Sequence, residues 1–166
     1  MKNILIVDDE FLIRYSLSQS LLGDDREVIT ASNGREALME IQGRCIDLCL
    51  LDLQLPDING LDIMKKLGEI SPATRIIIIT GSVITDAMMK SIQENAHHLL
   101  TKPFDLDEVK SSVDRLLASG EPGFAAETTA LLDNEPLIQR FIRQVVAENR
   151  DSRRKLTVLP VAGLAR

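Results

Sequence analysis

The sequence is poor in aromatic residues, cysteine and histidine. Aromatic residues make up 3% of the 166, Trp is absent, and there are 2 Cys and 2 His. A core built from this chain must therefore be aliphatic, and the 45% of hydrophobic residues are enough to form one. Cys45 and Cys49 have no His or Cys cluster around them in the sequence, so we expect two reduced thiols rather than a disulfide or a zinc site.

A long apolar segment is also missing. No window approaches the roughly 18 apolar residues of a membrane span. The first ten residues run from a short apolar stretch straight into three acids, which is not the pattern of a signal peptide. We therefore expect a cytoplasmic protein without a membrane segment.

Most of the chain lacks an excess of positive charge. Residues 1–119 hold 12 Lys/Arg against 19 Asp/Glu, whereas residues 120–166 hold 7 against 6. The net charge of the whole chain is −6. An acidic main domain argues against direct nucleic-acid binding by that part. The length fits one domain with an appendage.

Short apolar runs alternate with helical patterns five times along residues 1–119. Strands are predicted at residues 3–7, 27–31, 48–52, 75–80 and 98–101, and helices at 11–22, 33–42, 61–67, 85–95 and 105–118. Such alternation implies parallel strands, right-handed crossovers and helices on both faces. The predicted fold is therefore α/β, a doubly wound five-stranded parallel sheet of the flavodoxin-like order 2-1-3-4-5, with a helical C-terminal extension.

Polar residues stand at the carboxyl ends of four of the predicted strands. They are Asp8 and Asp9 after the first strand, Asp52 at the end of the third, Thr80 at the end of the fourth and Lys102 after the fifth. In the order 2-1-3-4-5, strands one and three flank the topological switch point, where the strand order reverses, so their carboxylates converge in one crevice. Each residue alone has an ordinary explanation, as a helix cap, a loop acid or a solvated lysine. Their joint placement favours a common pocket.

The chemistry of such a pocket follows from its charges. Three carboxylates repel one another, and a hard divalent cation such as Mg²⁺ relieves the repulsion. Beside the metal, one carboxylate can attack phosphorus and form an acyl phosphate. The Thr80 hydroxyl and the Lys102 ammonium would then bind the phosphoryl oxygens. We predict that Asp52 is the nucleophile.

Residues 1–119 resemble the receiver domain of two-component response regulators. The matching segments are ILIVDDE, DLQLPDINGLDIM, IIIITG and LLTKPFDLDE. The resemblance implies that Asp52 accepts a phosphoryl group from the histidine of a sensor kinase or a phosphotransfer protein. It also implies that Asp9 binds Mg²⁺ directly and that the backbone carbonyl of Gln54 is a further metal ligand. Asp8 would help either through water or by supporting the ligands from behind.

The resemblance extends to the last strand. It implies that Thr80 and Lys102 hold the phosphoryl oxygens and that the Lys102–Pro103 bond is cis. One position departs from the family pattern, since Leu99 stands where a Tyr or Phe usually couples to the threonine. The route by which phosphorylation reaches the face formed by helix 4, strand 5 and helix 5 is therefore expected to differ. A receiver phosphorylates and dephosphorylates itself and switches its protein contacts, so it is not a turnover enzyme.

Residues 120–166 carry fewer signals. Residues 120–133 are predicted to be a linker and residues 134–166 a helical tail of unknown role. An apolar stripe over residues 134–149 predicts an amphipathic helix. That helix either packs on its own receiver or forms a homodimer or partner interface. The face of helix 4, strand 5 and helix 5 is a second candidate for a homodimer.

Three other functions compete with a phospho-accepting receiver. A phosphohydrolase of the dehalogenase type would have an Asp general acid where this chain has Gln54. A pseudo-receiver scaffold would not need the complete set of acids, Thr80 and Lys102, although Leu99 leaves room for it. A transcriptional regulator that binds DNA through the tail would show strongly salt-dependent binding.

Overall fold

A computed structural model describes residues 1–118, which form a parallel β sheet covered by helices on both faces. The strands are β1 (Lys2–Val7), β2 (Arg26–Ala31), β3 (Leu48–Asp52), β4 (Arg75–Thr80) and β5 (His98–Thr101). All neighbours pair in parallel, in the order β2-β1-β3-β4-β5. The predicted fold class and strand order are confirmed. The predicted linker 120–133 and helical tail 134–166 lie outside the described residues.

Five helices cover the two faces of the sheet. They are α1 (Phe11–Leu21), α2 (Gly34–Gly43), α3 (Gly60–Ile70), α4 (Asp86–Asn95) and α5 (Leu106–Ala118). Buried side chains of α2, α3 and α4 pack on one face, and those of α1 and α5 pack on the other. Within residues 1–118, no helix has the length and hydrophobicity needed to cross a membrane.

The central strands are apolar along their whole length because both of their faces are covered. In β4, Ile76 and Ile78 pack with α2, α3 and α4, whereas Ile77 and Ile79 pack with α1 and α5. This alternation of faces is the period-2 geometry of a strand. A strand buried on both sides reads as a continuous apolar run, which explains the four consecutive isoleucines.

The helix boundaries differ from prediction most at α3. The sequence predicted an end near Leu67 with Gly68 outside the helix, but α3 continues to Ile70. Burial of Ile63, Met64 and Leu67 defines the helical stripe, and the exposed Gly68 is tolerated within it. Side chains cap the starts of α2 and α4. Asn33 accepts a hydrogen bond from Glu36 N, and Thr85 accepts one from Met88 N.

Candidate functional site

The strand register brings the predicted site residues to one edge of the sheet. Val7 is level with Leu51 in the next strand, Asp52 with Ile79, and Thr80 with Thr101. The residues that follow β1 and β5 therefore lie beside the ends of β3 and β4. Parallel strands have their carboxyl ends at the same edge, which is where ligands bind in open α/β sheets.

Lys102 is the centre of this arrangement. Its Nζ lies 2.7 Å from Asp52 Oδ2, 2.8 Å from Asp8 Oδ2 and 3.0 Å from Glu10 Oε1. The side chains of Asp8 and Asp52 are only 3% and 5% exposed, whereas that of Glu10 is 59% exposed. One partly buried ammonium thus contacts three carboxylates, and the site keeps a net negative charge.

The buried charges shift two pKa values. Burial raises the pKa of Asp8, although hydrogen bonds from Lys102 and from the Glu10 backbone N–H oppose the rise. Burial alone would lower the pKa of Lys102, but hydrogen bonds to Asp52, Asp8 and Glu10 outweigh it and raise that pKa. Lys102 therefore stays positively charged at every physiological pH.

Backbone amides fix the two buried carboxylates. Gln54 N donates to Asp52 Oδ1 at 3.0 Å, and Glu10 N donates to Asp8 Oδ1 at 2.8 Å. In both residues the other oxygen, Oδ2, contacts Lys102. Each carboxylate is thus held by its own loop on one side and by the shared ammonium on the other.

Gly60 allows the loop after β3 to close tightly behind Asp52. A Cβ at this position would lie 2.3 Å from the Asp52 carbonyl oxygen and 2.6 Å from Leu53 Cα. Gly60 N donates to the Leu53 carbonyl oxygen at 3.0 Å, which fixes the approach. A side chain larger than hydrogen would push the loop away from the acid.

Thr80 and Lys102 are linked through the backbone of β4 and β5. Lys102 N donates to the Thr80 carbonyl oxygen at 2.8 Å. The Thr80 side chain is completely buried, and its Oγ1 accepts a hydrogen bond from Ser82 N at 3.1 Å. The Lys102–Pro103 bond is cis, as the resemblance implied.

Not every predicted site residue lies in the acid cluster. Among the described residues, the carboxylate oxygens that lie within 4.8 Å of one another belong to Asp8, Glu10 and Asp52. Asp9 and Gln54 are exposed. Glu10 was not predicted, although it is the third acid of the run that follows β1. The assignment of Asp9 and the Gln54 carbonyl as metal ligands remains a prediction.

The donor atoms of the cluster fit a magnesium ion. All three side chains offer carboxylate oxygens, the donors that Mg²⁺ binds in proteins, and the cluster contains no nitrogen or sulfur ligand. Two of the carboxylates are buried against each other with only one lysine between them, so a second cation would be stabilised there.

Comparison with known proteins identifies the class to which this fold and site belong. The sequence model of the response regulator receiver domain matches residues 4–114. The chain is therefore a member of the response regulator receiver domain family.

The match to this chain spans nearly all of one relative but less than a third of another. The chain is 34% identical over 116 residues to sporulation initiation phosphotransferase F of Bacillus subtilis, covering 70% of this chain and 94% of that one. It is 33% identical over 148 residues to the DNA-binding transcriptional regulator NtrC of Azospirillum brasilense, covering 84% of this chain. The match spans only 31% of that NtrC.

A solved relative shares the fold. The response regulator TrrA of Thermotoga maritima, crystallised in complex with Mg²⁺ and BeF, is 35% identical and superposes with a TM-score of 0.63. The match covers 70% of this chain and 100% of that structure.

Proposed function

We propose that the protein is a phospho-accepting response regulator in which Asp52 takes a phosphoryl group from the histidine of a sensor kinase or phosphotransfer protein. The observation that supports this most is the contact of Lys102 with Asp52 and Asp8 at the switch point of a receiver fold. A nucleophilic carboxylate held beside a fixed cation has the charge environment that an incoming phosphoryl group needs.

The proposed step is a simple displacement at phosphorus. An Asp52 carboxylate oxygen forms a bond to phosphorus, the phosphorus–nitrogen bond of the phosphohistidine breaks, and the imidazole leaves with its electron pair. Lys102 and the Thr80 hydroxyl hold the phosphoryl oxygens. Asp8, Asp9, Asp52 and the Gln54 carbonyl would hold Mg²⁺. When bound, Mg²⁺ neutralises charge on the phosphoryl oxygens.

The acyl phosphate serves as a signal rather than as a turnover product. The chain would catalyse its own phosphorylation and its own dephosphorylation, and the phosphorylated population would favour a different set of protein contacts. The face of α4, β5 and α5 and the 134–149 helix are the proposed places for a homodimer or partner. Two free thiols, Cys45 and the buried Cys49, are consistent with the cytoplasm.

The output of the signal is proposed to be a protein contact. The matched relative in Bacillus subtilis is named a phosphotransferase, and the chain covers almost all of it. The DNA binding in the name of NtrC is a property of a protein about three times as long as the matched part. Residues 1–119 form the proposed receiver, and residues 120–133 and 134–166 the proposed linker and tail.

Intact-protein mass spectrometry tests the proposal. Incubation with acetyl phosphate and Mg²⁺ should add one phosphoryl group to the parent chain and none to Asp52→Asn. The variant Asp62→Asn is the matched control, since it loses the same charge at an exposed position of α3, and it should be labelled like the parent. Equal labelling of Asp52→Asn would disprove the role of Asp52. An unlabelled parent that also fails to bind beryllofluoride would favour the scaffold function.

A further inference from the structure

Asp57 joins two segments that are distant in the sequence. Its Oδ1 accepts hydrogen bonds from Gly34 N at 2.8 Å and from Ile58 N at 2.9 Å. Its Oδ2 accepts one from Arg35 N at 2.9 Å. Gly34 and Arg35 are the first two residues of α2, whereas Asp57 lies in the loop between β3 and α3. The carboxylate therefore connects the start of α2 to the loop that follows Asp52.

Packing at Gly34 shows that this connection is tight. A Cβ on Gly34 would lie 2.7 Å from Ile63 Cδ1 and 2.8 Å from Ile58 Cβ. Gly34 itself is buried. Because the glycine has no side chain, the loop and the first turns of α3 can approach the backbone of α2 closely enough for Asp57 to reach its amides.

The same loop is fixed to the phosphorylation site at its two ends. At its start, Gln54 N donates to Asp52 Oδ1. At its end, Gly60 lies directly against the Asp52 carbonyl group. Between these two points the loop is exposed at Gln54, Pro56, Asp57 and Asn59. Asp57 is the side chain that ties this middle part to a neighbouring helix.

We propose that Asp57 is a positioning residue for the phosphorylation site. By anchoring loop 53–59 to the start of α2, it holds the Gln54 backbone in place beside Asp52, where the amide contacts the carboxylate and the carbonyl would contact Mg²⁺. This inference rests on the proposed function. Burial alone would raise the pKa of Asp57, but the hydrogen bonds from the backbone of Gly34, Arg35 and Ile58 together outweigh it and lower that pKa, so the carboxylate is ionised at neutral pH.

The two possible roles of Asp57, helix cap and positioning residue, predict different experimental results. A cap that only stabilises α2 changes the free energy of unfolding and leaves the site of the folded protein unchanged. A residue that holds the loop in place also changes Mg²⁺ affinity and the rate of labelling. Groups that orient metal ligands through such contacts typically change affinity or activity about 10- to 100-fold when mutated.

The experiment uses the full chain and three variants, Asp57→Asn, Asp57→Ala and Asp62→Asn. Isothermal titration calorimetry measures Mg²⁺ affinity, and mass spectrometry measures the initial rate of labelling by acetyl phosphate. We expect Asp57→Ala to lose about tenfold in both quantities. For both quantities, Asp57→Asn should lie between the parent and Asp57→Ala, since its amide oxygen still accepts a hydrogen bond. The exposed Asp62 makes no anchoring bond to α2, so Asp62→Asn should match the parent despite the same loss of charge.

Two results would overturn the inference. The first is parental Mg²⁺ affinity and labelling rate in Asp57→Ala together with reduced stability towards urea, which would reduce Asp57 to a helix cap. The second is an equal loss in Asp62→Asn, which would make the effect one of charge alone. A parent that is never labelled would contradict the proposed function instead, and the Mg²⁺ titration would still decide the role of Asp57. If Asp57→Ala does not fold, Asp57→Asn supplies the comparison.

Discussion

Lys102 balances a site that would otherwise be strongly negative. Its ammonium contacts Asp8, Glu10 and Asp52, of which the first and third are buried. The proposed phosphoryl chemistry needs carboxylates in this position, but their burial costs stability because each must be desolvated. The site is therefore a place where function and stability oppose each other.

Replacement of Asp8 should reveal this opposition. Burial raises the pKa of Asp8, so the folded state binds its proton more tightly than the unfolded state does. Stability is then lost as pH rises through the pKa of folded Asp8. Asp8→Asn removes the titration, and we expect it to unfold at higher urea concentration than the parent near neutral pH. The advantage should shrink as pH falls through the raised pKa of folded Asp8 and should be gone below the ordinary carboxyl pKa of 3.8.

Asp57→Asn should change stability in the opposite direction to Asp8→Asn. Backbone hydrogen bonds lower the pKa of Asp57 despite the opposing effect of burial, so its contribution to stability is present above the ordinary carboxyl pKa and is lost as pH falls through the folded value. This variant should be less stable than the parent at neutral pH and should approach it in acid. A loss of stability in Asp8→Asn at neutral pH would contradict the account of the buried site.

The sequence was sufficient to predict the residues at strand ends but not the direction of the side chains beyond them. Asp52 and Thr80 end parallel strands, so the strand order alone places them together. Asp9 and Glu10 lie in the turn between β1 and α1, where small changes in backbone angles decide which carboxylate faces Lys102. Periodicity carries no information about such a turn, so the position of Glu10 was missed.

Among the secondary-structure elements, β5 contains Leu99, the residue that departs from the family pattern. Leu99 is half-buried and packs with the cluster on the side of α2, α3 and α4. Lys102, directly after this strand, contacts Asp52 at the site, and Thr101 is level with Thr80 in β4. The end of β5 thus places Lys102 at the site, with an aliphatic residue where the family pattern has an aromatic one.

Helix α3 contains two glycines with opposite roles. Gly60 lies against the Asp52 carbonyl, whereas a Cβ on the exposed Gly68 would meet nothing within 4 Å. Gly60→Ala should therefore destabilise the protein by about 1–3 kcal/mol through steric conflict and slow the labelling of Asp52. Gly68→Ala should stabilise it by about 0.5–1 kcal/mol, since alanine suits a helix interior better. Urea unfolding and labelling kinetics measure both effects.

Equal effects of the two substitutions would contradict this distinction. If Gly60→Ala were as stable and as reactive as Gly68→Ala, the loop after β3 would not require the close approach at Asp52. The pair is well matched because both changes add one methyl group to the same helix.

At the level of the whole molecule, alternation of apolar runs and helical stripes was enough to predict the fold. Chirality and strand direction follow from the βα repeat, and the observed order β2-β1-β3-β4-β5 agrees with that prediction. Helix ends were harder to predict, as the continuation of α3 past Gly68 shows, because tertiary packing outweighs the local preference of a glycine. The role of residues 120–166 remains a prediction.

The central claim is that Asp52 carries the phosphoryl group, and chemical mapping of the labelled residue tests it most directly. Borohydride reduces an aspartyl phosphate to homoserine, which tandem mass spectrometry can locate in a peptide digest. After incubation with acetyl phosphate and Mg²⁺, we predict homoserine at position 52 and at no other aspartate. Homoserine at position 8 or 9, or a labelled chain whose phosphate resists borohydride, would contradict the claim.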